Sequence, residues 1–370
     1  MSEQGHNWDH QLKYYIALGA PPTRTPADGS EAFMRPEVGF NLAWFTSFCE
    51  GVDFSQRWHE DPDYRLKCHE SMSREIRRRF PGRDIGGVND DGPPDILTGV
   101  HGVAFVLGMF GKKIKYISDT WPISRDAKIT DAEADALEPV DIDNNPFFEQ
   151  FFRQLDRIEQ LTGSIRGYIN WQGVLNAAFR LRGEQIFIDL FDCPGRAHHI
   201  FDCVATTMIN GMKKLYERQS KAGFTVEFAT ISNCVVNMIS PAHYIEHIRP
   251  FDLKIRSRFK NFGIHNCAWL VDPYMDAYTM VPKLGYIDMG TSSDLARAKK
   301  LFPDTRRNVL YSSMDMSGKS TEGIRNDFER IAGEYAPCDV GLLNLGPDVP
   351  DEQVIFFMDL CKELSDKYGG

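Results

Sequence analysis

The sequence predicts an α/β protein whose simplest arrangement is a (β/α)₈ barrel with an N-terminal excursion of loops and helices. From Gly163 onward, short apolar runs alternate with longer helical patterns, as in chains that build a parallel sheet from βαβ units. No glycine-rich nucleotide-binding turn follows the first predicted strand, which disfavours an open doubly wound sheet. The six runs predicted as buried parallel strands are Ser164–Asn170, Phe224–Ser232, Phe262–Cys267, Leu284–Met289, Asn308–Ser312 and Asp339–Asn344.

Two upstream runs, Pro36–Trp44 and Asp84–Val88, bring the number of predicted strands to the eight that close a barrel. Residues 1–83 then hold an N-terminal extension and the first strand, 163–370 carry the clearest barrel pattern, and 1–370 form one domain. The helices predicted between the later strands are Gly195–Arg218, Pro241–Phe259, Ser293–Leu301, Thr321–Tyr335 and Asp351–Tyr368.

Composition excludes several classes of partner. A net charge of −10 and a pI near 5.5 disfavour nucleic acid, because affinity for phosphate backbones rests on Lys and Arg. No stretch reaches the ~20 apolar residues that span a bilayer, and Met1–Asp9 lacks a signal-peptide core. The eight cysteines include no CxxC pair, which is typical of reduced thiols. We therefore expect a cytoplasmic protein with no membrane or nucleic-acid partner.

Chemically capable side chains close several of the predicted strands. In a barrel, chemistry occurs where the carboxyl ends of the strands meet, so these positions are the candidate site. The residues at these ends, including the final strand, are Asn170, Trp171, Asn233, Cys234, His265, Cys267, Asp288 and Asn344.

The segment Ile264–Cys267 indicates a metal. Side chains two apart on a strand end point the same way, and imidazole with thiolate suits zinc. Cys234 closes the preceding strand, so it is the preferred third ligand beside His265 and Cys267. Asp288 and Cys338 are the competing third ligands, although Cys338 precedes its apolar run and is expected at the opposite end of its strand. Three protein ligands with an open fourth position predict a catalytic zinc site.

Three segments resemble the uroporphyrinogen decarboxylase superfamily: Met238–Pro241 with the residues after it, Phe262–Cys267, and Gly341–Gly346. The second is similar to the H-x-C-G strand end of its methyltransferase branch. The arginine-rich N-terminal segment of true uroporphyrinogen decarboxylases is not found in this sequence. A further departure concerns the thiol-methylating branch, whose third zinc cysteine follows the last strand, where this chain has Leu343 and Asn344.

The resemblance implies a zinc-dependent methyltransferase, with His265 and Cys267 in the catalytic centre. Zinc would act as a Lewis acid, and a methyl group would pass from a methoxylated aromatic compound to the cob(I)alamin of a partner corrinoid protein. Methylcorrinoid:thiol methyl transfer and cofactor-free decarboxylation are the alternatives. Family members are often homodimers. The side chains expected to orient or pack a small methylated substrate are Asn170, Trp171, Asn233, Asp288 and Asn344, with Trp44 and Phe45 as further aromatic candidates.

Overall fold

A computed structural model describes residues 15–16, 32–126 and 128–369. Six of its eight strands form one parallel sheet, and the other two form a separate antiparallel pair. In chain order the strands are β1 (Met34–Phe40), β2 (Lys115–Ile117), β3 (Thr120–Ile123), β4 (Phe228–Ser232), β5 (Asn261–His265), β6 (Tyr286–Gly290), β7 (Arg306–Tyr311) and β8 (Cys338–Leu345). The order across the parallel sheet is β1-β8-β7-β6-β5-β4, so consecutive strands lie side by side from β4 to β8.

Helices connect these strands and cover the sheet. The helices before β4 are α1 (Leu42–Phe48), α2 (Gln56–Glu60), α3 (Pro62–Arg79), α4 (Phe105–Met109), α5 (Asp131–Asp135), α6 (Pro146–Thr162), α7 (Val174–Arg182), α8 (Gln185–Asp192) and α9 (Pro194–Lys221). Those after β4 are α10 (Pro241–His243), α11 (Arg249–Arg256), α12 (Met275–Thr279), α13 (Leu295–Leu301), α14 (Ser313–Gly318), α15 (Thr321–Glu334) and α16 (Asp351–Tyr368). A π-helical turn, Tyr244–Ile248, joins α10 to α11. In the part of the chain described, no helix combines the length and apolarity needed to cross a bilayer.

The register of the sheet aligns the strand ends that carry the candidate site. Ser232 pairs with His265, and Asp288 pairs with Asn308. Register partners on parallel strands project to the same face, because side chains alternate along each strand. Every residue of β4, β6 and β7 is buried, which explains why these strands appear in the sequence as short apolar runs.

Two predicted strands are absent. Asp84–Val88 forms turns, since Gly86 and Gly87 adopt positive φ angles of 60° and 71° that strands exclude. Ser164–Asn170 is extended but does not join the backbone ladder, and Gly167 has a φ of 135°. The first predicted strand, Pro36–Trp44, also runs too far, because Asn41 caps α1 by accepting the backbone N–H of Trp44 at 2.9 Å.

Irregular segments occupy the space beside β4 instead. The hydroxyl of Tyr168 accepts from the N–H of Thr230 at 2.9 Å and donates to the Thr230 carbonyl at 3.3 Å. The backbone N–H of Tyr168 donates to the Thr98 hydroxyl at 2.9 Å, and Gly167 packs on Leu97. The turn at Asp95–Thr98 and the extended segment Ser164–Asn170 therefore continue the wall of the barrel past β4 through side-chain contacts.

Candidate metal centre

The turn after β5 brings Cys267 back beside His265. β5 ends at His265, and Cys267 has a left-handed φ of 53°, which is uncommon for a residue with a side chain. Its Sγ lies 3.2 Å from His265 Nε2. The two side chains meet as predicted, but through a tight turn rather than through strand alternation.

Cys234 completes the group from the neighbouring strand end. The N–H of Asn233 donates to the His265 carbonyl at 2.7 Å, which extends the pairing of β4 and β5 by one residue. The Sγ of Cys234 then lies 2.7 Å from that of Cys267. The donor atoms of Cys234, His265 and Cys267 all lie within 4.8 Å of one another, the one such cluster found among the residues described. Cys338 is buried at the amino end of β8 and does not join it.

Asp288 holds His265 and does not extend the donor set. Its Oδ2 lies 2.5 Å from His265 Nδ1, and its Oδ1 accepts the N–H of Asn266 at 2.6 Å. Tyr286 donates its hydroxyl to the same Oδ2 at 2.9 Å. Both oxygens are therefore engaged within the protein. These contacts make Asp288 the residue that orients the His265 ring, and they direct Nε2 of His265 toward the cysteines.

The charges of the cluster are strongly coupled. The Cys267 thiol donates to Cys234 Sγ, and this hydrogen bond, with the nearby His265, lowers the pKa of Cys234 to about 5. The same hydrogen bond, together with burial, raises the pKa of Cys267. Burial alone would lower the pKa of His265, but the Asp288 carboxylate and the two cysteines raise it well above its ordinary value. The cluster thus favours one thiolate, an anion ready to bind a cation.

The donor set fits zinc. Zinc in proteins takes thiolate sulfur at about 2.3 Å and imidazole nitrogen at about 2.0 Å, so ligand atoms within 4.8 Å of one another can share one ion. An imidazole whose other nitrogen faces a carboxylate is the usual arrangement around such ions, because the carboxylate fixes the ring. Three protein donors leave a fourth position for a small ligand.

The predicted amides Asn233 and Asn170 lie in different environments. Asn233 Nδ2 donates to Asp252 at 3.3 Å, while its buried Oδ1 has no hydrogen-bond partner among the described residues. Asn170 accepts the backbone and side-chain N–H groups of Gln172 at 3.0 and 2.8 Å, so it stabilises the turn after Ser164–Asn170. Asn233 thus offers the more available acceptor.

The predicted aromatic residues are core residues. Trp171 is fully buried, packs edge-on against Phe105, and faces Gly211, where a Cβ atom would lie 2.9 Å from the indole ring. Trp44 and Phe45 are buried in the same way, with Trp44 stacked on another ring. These contacts make all three rings part of the hydrophobic core.

Asn344 lies at the exposed end of β8. Its φ is 64°, and the pairing of β8 with β1 shifts register between Val38 and Phe40, as at a β-bulge. Asn344 therefore stands at the carboxyl edge of the sheet, and among the residues that the structure describes no hydrogen bond joins it to the cysteines.

Two residues that the sequence analysis missed, Tyr286 and Asn308, form a hydrogen-bonded chain that ends on Asp288. Asn308 donates to the Tyr286 hydroxyl at 3.2 Å and to Glu37 Oε2 at 2.7 Å. Tyr286 lies two residues before Asp288 on β6, and Asn308 is the register partner of Asp288 on β7. Strand alternation was the available signal, since Tyr286 and Asp288 must share a face.

Backbone strain gathers at the same edge. Five non-glycine residues in the described chain have positive φ, and three of them stand at or just after the carboxyl end of a strand or of the extended segment Ser164–Asn170. Such strain persists where the surrounding structure imposes it, and it is frequent at functional sites. The three are Gln172, Cys267 and Asn344.

Comparison with known proteins identifies the fold. No protein-family model and no curated protein matches the sequence. Among solved structures, the chain is similar to a methyltransferase from Methanosarcina mazei, with 11% identity over 90% of this chain and 94% of that one and a TM-score of 0.64. It is also similar to a B12-independent methionine synthase from a Shewanella species, with 10% identity over 96% and 97% of the two chains and a TM-score of 0.47. The first likeness confirms the α/β barrel class that the sequence predicted.

Proposed function

We propose that this protein is a zinc-dependent methyltransferase that moves a methyl group from a methoxylated aromatic compound to the cob(I)alamin of a separate corrinoid protein. The observation that carries the proposal is the meeting of Cys234, His265 and Cys267 at the carboxyl edge of the sheet. The fold is shared with a protein named as a methyltransferase, which supports the same class of reaction.

Each residue of the cluster has a defined task in this proposal. Cys234, Cys267 and the Nε2 atom of His265 would hold the ion, and Asp288 keeps the imidazole in the required orientation. A zinc ion held there would supply Lewis acidity at the methyl-bearing oxygen. The unpartnered Oδ1 of Asn233 is an acceptor for a hydroxyl group on the substrate.

Metal content tests the proposal first. We expect about one zinc per chain by plasma mass spectrometry, because the three donors complete a catalytic-type set. Cys234→Ala and Cys267→Ala should each lose most of that zinc. Cys193→Ala is the matched control, since Cys193 is exposed and outside the cluster. Folded wild-type protein without zinc would rule out the mechanism and favour the decarboxylase alternative.

The reaction is tested with the partner in place. Zinc-loaded protein, a corrinoid protein reduced to cob(I)alamin and methoxylated aromatic compounds should together give a methylated corrinoid, followed by its visible absorbance. Methylation of a thiol by the methylated corrinoid, without demethylation of any ether, would support the thiol alternative instead. Release of carbon dioxide by metal-free protein would support decarboxylation.

A further inference from the structure

Helix α7 is fixed to the turn that carries Cys234. Its N-cap, Gly173, packs so closely on β4 that a Cβ atom there would lie 2.2 Å from the Ser232 carbonyl oxygen. In its first turn, Asn176 Oδ1 accepts the backbone N–H of Val235 at 3.2 Å. The residues of α7 on the Asn176 face are therefore held at a fixed distance from the metal cluster.

Arg180 lies on that face without a partner. It is one helical turn after Asn176, and helical side chains lean toward the N-terminus, so its guanidinium points back toward Cys234. The side chain is half-buried, yet among the described residues it makes no hydrogen bond or ion pair. Arg182, two residues on, shows the normal arrangement, because Asp189 pairs with it at 2.8 Å.

The electrostatics indicate a missing anion. Burial lowers the pKa of Arg180, and the charge of Cys234 opposes that effect. A second cation, Lys128, lies close by: its ammonium donates to the Arg180 carbonyl at 2.7 Å, and its pKa is lowered by burial and then by Arg180. A partly desolvated cation without a hydrogen-bonded counterion is costly, so such groups are usually paired. In a chain of net charge −10, this unpaired arginine beside the cluster is unusual.

We propose that Arg180 binds a carboxylate of the substrate, so that the methyl donor is a methoxylated aromatic acid. This inference rests on the proposed function for the position of the methyl group. A guanidinium binds a carboxylate through two parallel hydrogen bonds, which fixes the orientation of a planar ring as well as its affinity. The carboxylate neutralises Arg180, while the methoxy group reaches the open side of the donor set.

Binding to zinc-loaded protein tests this inference without methyl transfer. The probes are the three isomeric methoxybenzoates and the three matching methoxybenzyl alcohols, measured by calorimetry. We expect at least one acid to bind roughly tenfold or more tightly than its alcohol, as for hydrogen bonds to a charged partner. Arg180→Gln should remove this difference, Arg180→Lys should restore part of it, and exposed Arg258→Gln should leave it unchanged.

Two results would overturn the inference: acids that bind no better than alcohols in the wild type, or an acid preference that survives in Arg180→Gln. Melting temperature and zinc content of each variant separate binding from folding and metal loss. An Arg180-dependent acid preference in protein that neither holds zinc nor demethylates ethers would keep the carboxylate site and reject the proposed function.

Discussion

The two sides of the barrel wall are built differently. From β4 through β8 to β1, a continuous backbone ladder sets the register, so His265, Asp288 and Asn308 follow one another across adjacent strands. On the other side, Asp95–Thr98 and Ser164–Asn170 are held by side chains and close glycine contacts. The metal donors come from the regular side, whereas α7, with Arg180, follows the irregular side. The regular side thus supplies the three candidate metal donors, and the irregular side supplies the helix that carries Arg180.

The two sides meet where Gly173 packs on Ser232 of β4, and the stability of the fold should be most sensitive to substitution there. Gly173→Ala should destabilise the fold by about 3 kcal/mol, because the new methyl group would collide with the Ser232 carbonyl of β4. Chemical denaturation measures this. Gly195→Ala, where nothing lies within 4 Å, is the control and should cost nothing. Equal stability of both variants would mean that the halves can move apart freely.

Within the regular side, the carboxylate behind His265 should control metal affinity. Asp288→Ala removes the partner of Nδ1 and leaves the Asn266 N–H without an acceptor. We expect zinc affinity to fall about ten- to hundredfold, as for other losses of a carboxylate behind a histidine ligand. Competition with a chelator measures it, with exposed Asp304→Ala as the control. Unchanged affinity would show that the ladder alone orients His265.

A buried acid behind β4 should make the stability of this side depend on pH. Burial raises the pKa of Asp252 to about 7, while Tyr244 and Asn233 donate to one of its oxygens. Between the ordinary carboxyl pKa and 7 the folded chain holds a proton that the unfolded chain lacks, so this stabilisation falls as pH rises and is flat above 7.

Asp252→Asn cannot titrate and isolates this effect. The stability of the wild type relative to the variant should fall by about 2 kcal/mol between about pH 5.5 and about pH 8. Denaturant unfolding of both proteins at the two pH values checks the sign. A constant difference would mean that Asp252 is ionised throughout.

The smallest expected effect lies one contact further from the metal. Tyr286→Phe removes the hydroxyl that donates to Asp288 but keeps the ring in its buried place. The loss of one hydrogen bond to a buried carboxylate should weaken zinc binding about fivefold. Tyr311→Phe, whose hydroxyl binds Asp327 elsewhere, should leave zinc affinity unchanged. An effect equal to that of Asp288→Ala would show that the acid depends wholly on Tyr286.

The regular side is also the side that could be predicted from the sequence. Helix α16 begins and ends at the predicted residues, Asp351 and Tyr368, and the later strands lie within a few residues of their predicted bounds. Apolar runs bounded by polar residues carry that information. Cys234, His265 and Cys267 were predicted to meet because neighbouring parallel strands end at one edge, and the structure brings them together.

The other features of the fold and of the site depend on contacts between residues far apart in the chain, which the pattern of apolar and polar residues does not specify. The turns at Gly86 and Gly87 follow from positive φ angles, which glycine permits but does not require. The task of Asp288 depends on which donors reach its two oxygens, and one of those donors is on the preceding strand. The ring of Trp171 packs into the core because the absence of a side chain at Gly211 leaves room for it.

The two hydrogen bonds between the Tyr168 hydroxyl and the Thr230 backbone form a seam in the barrel wall that a side chain makes in place of a strand. One phenolic hydroxyl serves both the N–H and the carbonyl of a strand residue, as a neighbouring strand would. Main-chain ladders are nearly indifferent to which amino acids they join, whereas this seam is encoded by one codon. A single nucleotide change can remove or restore this contact, so one link in the wall is directly exposed to mutation and selection.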